Sequence, residues 1–177
     1  MTIKKSAREI IFKPQPFFTC LMSALEIYPR ETYGFLFSQT DKNTIDFAYT
    51  LKTAETTFEN VYTDYEVEEY LFERAKTDFG LNLIGDFHSH ADYRSKTTCK
   101  PGKTDSKGLR ENPERISIIL SLSAKEKKSV DMLMRAYYYD DEQKRIRKAK
   151  LILPRKLENL LSETNPSLLN FFKTPQR

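Results

Sequence analysis

Histidine occurs only twice in this 177-residue chain, cysteine only twice and glycine only five times. Each scarcity excludes something. Two cysteines, Cys20 and Cys99, make no disulfide framework and suit a reducing cytosol, so a cytoplasmic location is expected. Two histidines are too few for the two-metal phosphoesterases and amidohydrolases, and no H-E-x-x-H of the zincins occurs. No apolar run approaches the roughly 20 residues that cross a bilayer. The opening "MTIKKSAREIIFKPQP" is basic but lacks the apolar segment and cleavage site of a secretory signal. No membrane association is therefore expected. The net charge of +4 is modest and permits an acidic partner without demanding nucleic acid.

What is present is ordinary for a folded chain: 39% apolar and 31% charged residues, with no repeat, low-complexity tract or glycine/serine linker. One domain over 1–177 is expected, with a C-terminal helical extension at about 155–177. "REIIFK" (8–13) reads as an opening strand. From Pro16 the apolar spacing of Phe17, Leu21, Ala24, Leu25 and Tyr28 is helical, stopped by Pro29. "TYGFLFS" (32–38) and "TIDFAYTLK" (44–52) read as an antiparallel pair.

Thr63 and Glu66 suggest a capping box for a helix over 64–79, closed by Gly80. "LNLIGDFHSH" (81–90) is a strand, a short helix follows near 104–111, and "RISIILSLS" (115–123) is apolar enough for a central strand. "DMLMRAYYYD" and "KRIRKAKLIL" form a hairpin. Leu157, Leu160, Leu161, Leu168 and Leu169 keep helical spacing, interrupted at Pro166. The fold class is α/β (α+β), a sheet flanked by helices. The basic run 144–150 reads as the solvated face of an edge strand, and Tyr137–Tyr139 as strand residues, so no nucleic-acid binding is expected.

Both histidines fall in "GDFHSHADYRSKTTCKPGKTD" (85–105). Residues i and i+2 of a strand share a face with Cα atoms about 6.5 Å apart, so His88 and His90 can reach one metal at about 2.0 Å each. A catalytic metal site usually takes a third protein ligand, and here it must be a carboxylate or a thiolate. Asp92, Cys99 and Asp105 are the candidates. A two-histidine, one-carboxylate iron site is compatible with this set but leaves Glu31, at the mouth of an apolar strand, without a role. Cys99 reads as a small buried residue, the alternative being a thiolate that covers the metal.

In order along the chain, "ETYGFLFS" (31–38), "HSHA" (88–91) and "PGKTD" (101–105) resemble the motifs of the JAMM, or MPN-plus, metalloproteases. The resemblance covers about residues 8–150 and implies a JAB/MPN-like fold, a cytidine-deaminase-like three-layer arrangement with a mixed, mostly antiparallel sheet. It implies Zn²⁺ held by His88, His90 and Asp105, with Glu31 as general base. The implied activity is hydrolysis of a peptide or isopeptide bond at the C-terminal tail of a ubiquitin-like protein. The chain departs from the pattern in its longer spacing between His90 and Asp105, in Ala91 for a proline, and in Gly102 where the family has an oxyanion-stabilising serine. Ser95, Thr97 and Thr98 are candidate replacements. A non-enzymatic MPN scaffold is the alternative.

Overall fold

The computed structural model describes residues 7–52, 54–56, 61–92, 99–126 and 129–164. It opens with β1 (Glu9–Phe12), in which Ile10 and Phe12 point inward and Glu9 and Ile11 outward. Helix α1 (Pro14–Ile27) begins two residues earlier than the apolar spacing suggests. A proline in the first turn explains this, because its fixed φ suits a helix start and its missing N–H has no intrahelical partner there. The helix buries Phe17, Cys20, Leu21 and Ala24, and Phe17 meets Phe12 edge-to-face at 5.8 Å.

Next come β2 (Tyr33–Ser38), β3 (Thr44–Ile45) and β4 (Phe47–Thr50). The sequence suggests one strand over 44–52, but Asp46 divides it. Its buried carboxylate accepts from Ser38 Oγ at 3.0 Å and from the Gln39 N–H at 2.8 Å, and pairs with Lys13. β5 (Glu55–Thr56) and β6 (Val61–Tyr62) form a separate two-stranded ribbon. In α2 (Tyr65–Phe79), Asp64 is the N-cap, accepting from the Glu66 N–H at 2.9 Å, in place of the Thr63 box. Glu66 then sits at the second helical position, where it cannot make the reciprocal bond. Gly80 closes the helix at φ 65°, as its sequence position suggests.

The rest of the chain is β7 (Asn82–Asp92), α3 (Lys103–Glu111), β8 (Ile116–Glu126), β9 (Ser129–Asp140), β10 (Arg145–Ile152) and α4 (Arg155–Thr164). Residues 165–177, with Leu168 and Leu169, lie outside the described residues. Eight strands form one sheet in the order β3-β1-β10-β9-β8-β7-β2-β4. Four of its seven pairings are antiparallel, so the sheet is mixed and mostly antiparallel, as expected. β3 and β4 are its two edges, yet only Asp46 separates them in the chain. The sheet must therefore curve until its edges nearly meet.

One correction concerns the basic run. β10 is not an edge strand: it pairs with β9 on one side and, through Lys150–Ile152, with β1 on the other. Of its basic residues Arg145 and Lys150 are exposed, while Arg147 and Lys148 are half-buried and Arg147 pairs with Asp140; only Lys150 lies in the stretch that meets β1.

The two faces of the sheet differ. The main core joins Phe17, Cys20 and Ala24 of α1, Leu157 and Leu161 of α4, and inward residues such as Phe87, Ile116, Ile118, Leu120 and Leu122. On the opposite face Leu109 of α3 packs with Ile119 and Tyr137, while Phe35, Phe37 and Leu51 lie under α2. Among the described residues no helix is long and apolar enough to cross a membrane.

The parallel β7–β8 pair is very close at Gly85, opposite Ile116. A Cβ at Gly85 would run into the Ile116 carbonyl oxygen, and backbone cannot yield as a flexible side chain does. Gly85→Ala is therefore expected to destabilise the protein by about 1–3 kcal/mol or more, read as a fall of several degrees in the thermal midpoint. An unchanged midpoint would show that the pair is not held this closely.

Candidate metal centre

Alternation along β7 sends Asp86, His88 and His90 to the face that carries α3. In the parallel register they lie beside Ser117, Ile119 and Ser121 of β8. Strand β7 then continues through Asp92, further than the sequence suggests. The chain returns through α3, whose N-cap is Gly102 and whose third residue is Asp105. Asp105 Oδ2 accepts from the Gly102 N–H at 2.6 Å, the backward bond of a capping box. That bond fixes the carboxylate at the helix start, beyond the carboxyl end of β7.

Three of the residues singled out from the sequence meet there. His88 Nε2 lies 3.2 Å from His90 Nε2 and 3.5 Å from Asp105 Oδ1, and His90 Nε2 lies 3.6 Å from Asp105 Oδ2. Ligand atoms about 2.0–2.1 Å from a tetrahedral ion stand about 3.3–3.4 Å apart. The distances are close to that spacing, with the two imidazoles facing different oxygens of the Asp105 carboxylate, and two nitrogens with a carboxylate make a chemically suitable donor set. The group can hold a metal ion. Glu31 lies on the wall of the same cavity, of about 500 Å³, together with Tyr33, Asp86, Lys103, Thr104 and Ser117.

The other ligand candidates fare differently. Cys99 is turned away from the triangle: its thiol donates to the carbonyls of Ile119 at 3.2 Å and Leu133 at 3.0 Å, and its own carbonyl accepts from the Tyr137 hydroxyl. Burial pushes this thiol up to about 12, with Arg135 opposing weakly, so it is protonated at neutral pH. The packing role considered for Cys99 holds, and the metal-covering thiolate does not. The side chain of Asp92, and Ser95, Thr97 and Thr98, lie outside the described residues.

Sequence reasoning missed Asp86 and Ser117. Asp86 Oδ1 lies 3.4 Å from His88 Nδ1 and accepts from Ser117 Oγ at 2.8 Å. A carboxylate facing Nδ1 favours the tautomer whose Nε2 lone pair points at the metal position. The signal was present as D-x-H-x-H, a three-residue alternation on one face.

The charges are strongly coupled. Burial would lower the His88 pKa, but Asp105 and Asp86 outweigh it and raise it to about 10. Burial likewise opposes ionisation of Asp105, yet His88, His90 and the Gly102 N–H hold its carboxyl far below the usual range. Burial, with Asp86 and Glu68 adding to it, pushes the Tyr33 phenol well above its ordinary value.

No family model matches the chain, and no curated protein matches it. Among solved structures, the solution structure of protein DSY2949 from Desulfitobacterium hafniense is similar at a TM-score of 0.61 and 19% identity, covering 82% of this chain and 92% of that one. At that identity the likeness shows a shared fold alone, here a mixed α+β architecture.

Metal binding needs neutral imidazoles, and His88 in the metal-free site keeps its proton up to about pH 10. Each ion bound near neutrality must expel that proton, so affinity should fall as pH falls, by up to about tenfold per unit. Titration calorimetry with Zn²⁺ or Co²⁺ in buffers of different ionisation heat should report one site per chain and proton release. Asp105→Ala should abolish binding, and Asp86→Asn should weaken it about 10–100-fold. Retained stoichiometric binding in Asp105→Ala would exclude this triangle as the site.

Proposed function

We propose that the chain is a zinc-dependent hydrolase of the JAMM type. It would cleave a peptide or isopeptide bond at the C-terminal tail of a ubiquitin-like protein. The observation that carries the proposal is one cavity holding the His88–His90–Asp105 triangle with Glu31 on its wall. The strand, helix and motif order, and the helices on both faces of a mixed sheet, support the finer JAB/MPN-like, three-layer classification. Two imidazoles and a carboxylate suit Zn²⁺, and three protein ligands leave a coordination position open.

Zinc, when bound, supplies Lewis acidity, making water a nucleophile near neutral pH and polarising the scissile carbonyl. The chain's residues do the rest. Glu31 takes a proton from the attacking water onto its carboxylate and hands it to the leaving amine. Asp86 and Ser117 hold the His88 ring in its working tautomer. Gly102 offers no hydroxyl for the developing oxyanion, so the first turn of α3 has to supply donors, and Lys103 and Thr104 are the residues it places on the cavity wall. The extended tail of the substrate would lie along the cavity mouth. A binding module without chemistry is the second reading, and Gly102 is the observation in its favour.

Glu31→Gln separates the two. It is expected to keep its metal while losing about 10²–10⁴ in turnover on a panel of ubiquitin-like C-terminal fluorogenic amides, with metal content measured by elemental mass spectrometry. Full activity in this variant would overturn the assignment of Glu31.

A further inference from the structure

Ser89, the residue between the two histidines, is fully buried and is not part of the cavity wall. Its surroundings show a specific task. β2 and β7 run antiparallel with Tyr33 opposite His88 and Gly34 opposite Phe87. Continuing that register places Thr32 opposite Ser89 and Glu31 opposite His90. In a complete rung two facing residues exchange both main-chain hydrogen bonds. Here only one is kept: the Ser89 N–H donates to the Thr32 carbonyl at 3.1 Å. The other is diverted, because the Thr32 N–H donates at 2.8 Å to the Ser89 hydroxyl.

We infer that Ser89 is a positioning residue that sets Glu31 against the metal triangle by taking the Thr32 N–H on its side chain. The inference rests on the hydrolase reading above. A hydroxyl in place of a carbonyl takes Thr32 out of the regular ladder next to Glu31, and Glu31 and Tyr33, on either side of Thr32, both line the cavity. With both main-chain bonds made at Thr32, the backbone around Glu31 would follow the regular ladder beside His90. Without any bond, the Thr32 N–H would lose the acceptor that β7 gives it. Thr32 is 1% exposed, so water cannot replace the lost acceptor. The H-x-H spacing thus does two jobs: its outer residues hold the metal, and its middle residue, pointing to the other face, holds the base.

The test compares wild type, Glu31→Gln, Ser89→Ala and Ser89→Thr on the same amide panel, with metal content and amide hydrogen exchange measured for each. Ser89→Ala is expected to hold one metal per chain and keep KM, while kcat falls roughly 10–100-fold. Its Thr32 amide should exchange at least about tenfold faster, with Phe35 still protected; Ser89→Thr, which keeps the hydroxyl, should restore both. A metal-loaded Ser89→Ala protein with wild-type kcat, or with Thr32 still protected, overturns the inference. So does a folded, metal-loaded Ser89→Thr protein as slow as Ser89→Ala. If Ser89→Ala does not fold, Ser89→Cys, near in volume but a poor acceptor, takes its place. Slow turnover with a fast-exchanging Thr32 amide is then expected, and wild-type kcat or a protected Thr32 overturns the inference. A wild-type protein that cleaves none of the panel sinks the hydrolase reading itself. That result differs from failure of the clamp, in which wild type and Glu31→Gln still differ.

Discussion

Everything at this site depends on a carboxylate reaching two imidazoles across a chain reversal. The reversal is possible because β7 and β8 are parallel neighbours joined through α3, a strand–helix–strand crossover. Parallel strands require such a crossover, and the crossover puts a helix start beyond the carboxyl end of the first strand. His88 and His90 lie near that strand end, and Asp105 lies in the first turn of that helix. A hairpin such as β8–β9 could not do this, since it returns the chain alongside without an intervening helix.

The electrostatics follow from the same geometry. Asp105 sits where the partial positive charge of a helix start and the Gly102 N–H both favour its ionised form. Two acids, Asp86 and Asp105, then face His88 from its two ring nitrogens. In a metal-free site they favour a protonated imidazole, beside the bonds that Asp86 accepts from Ser117 and Asp105 from Gly102. A divalent cation balances them better, because it satisfies both Nε2 atoms and the Asp105 carboxylate at once. Hydrogen bonds alone would require two Nε2 atoms 3.2 Å apart to take opposite protonation roles.

Much of this was legible in the sequence because it is local. Strand alternation pairs His88 with His90 whatever the rest of the chain does, and the placing of Asp105 in a helix start is equally local, although the cap is Gly102 and not Thr104 or Asp105 as the sequence suggests. The helix and strand positions were readable for the same reason. What escaped notice depends on pairings distant in the chain. Nothing near Asp46 says that the strands on either side of it pair at opposite edges of the sheet. The interior place of β10 is decided by β1, more than a hundred residues away. Asp86 was overlooked because its role exists only once Ser117 is laid beside it. The direction of Cys99 is set by the Ile119 and Leu133 carbonyls, on two strands outside its own loop.

The two faces of the sheet divide the work. The face under α1 and α4 holds the large apolar cluster, and it supplies the burial from which most folding free energy comes. The face under α2 and α3 is thinner: α2 buries none of its residues completely, and Tyr65, Tyr70 and Phe79 remain exposed. β7 belongs to both. Phe87 anchors it in the main core, Asp86, His88 and His90 project to the open side, and Ser89 turns back toward the core face to hold the chain before β2. A strand buried on one side and functional on the other can be rigid without its chemistry being enclosed. That is why a fixed ligand triangle and an accessible cavity can coexist on a single strand.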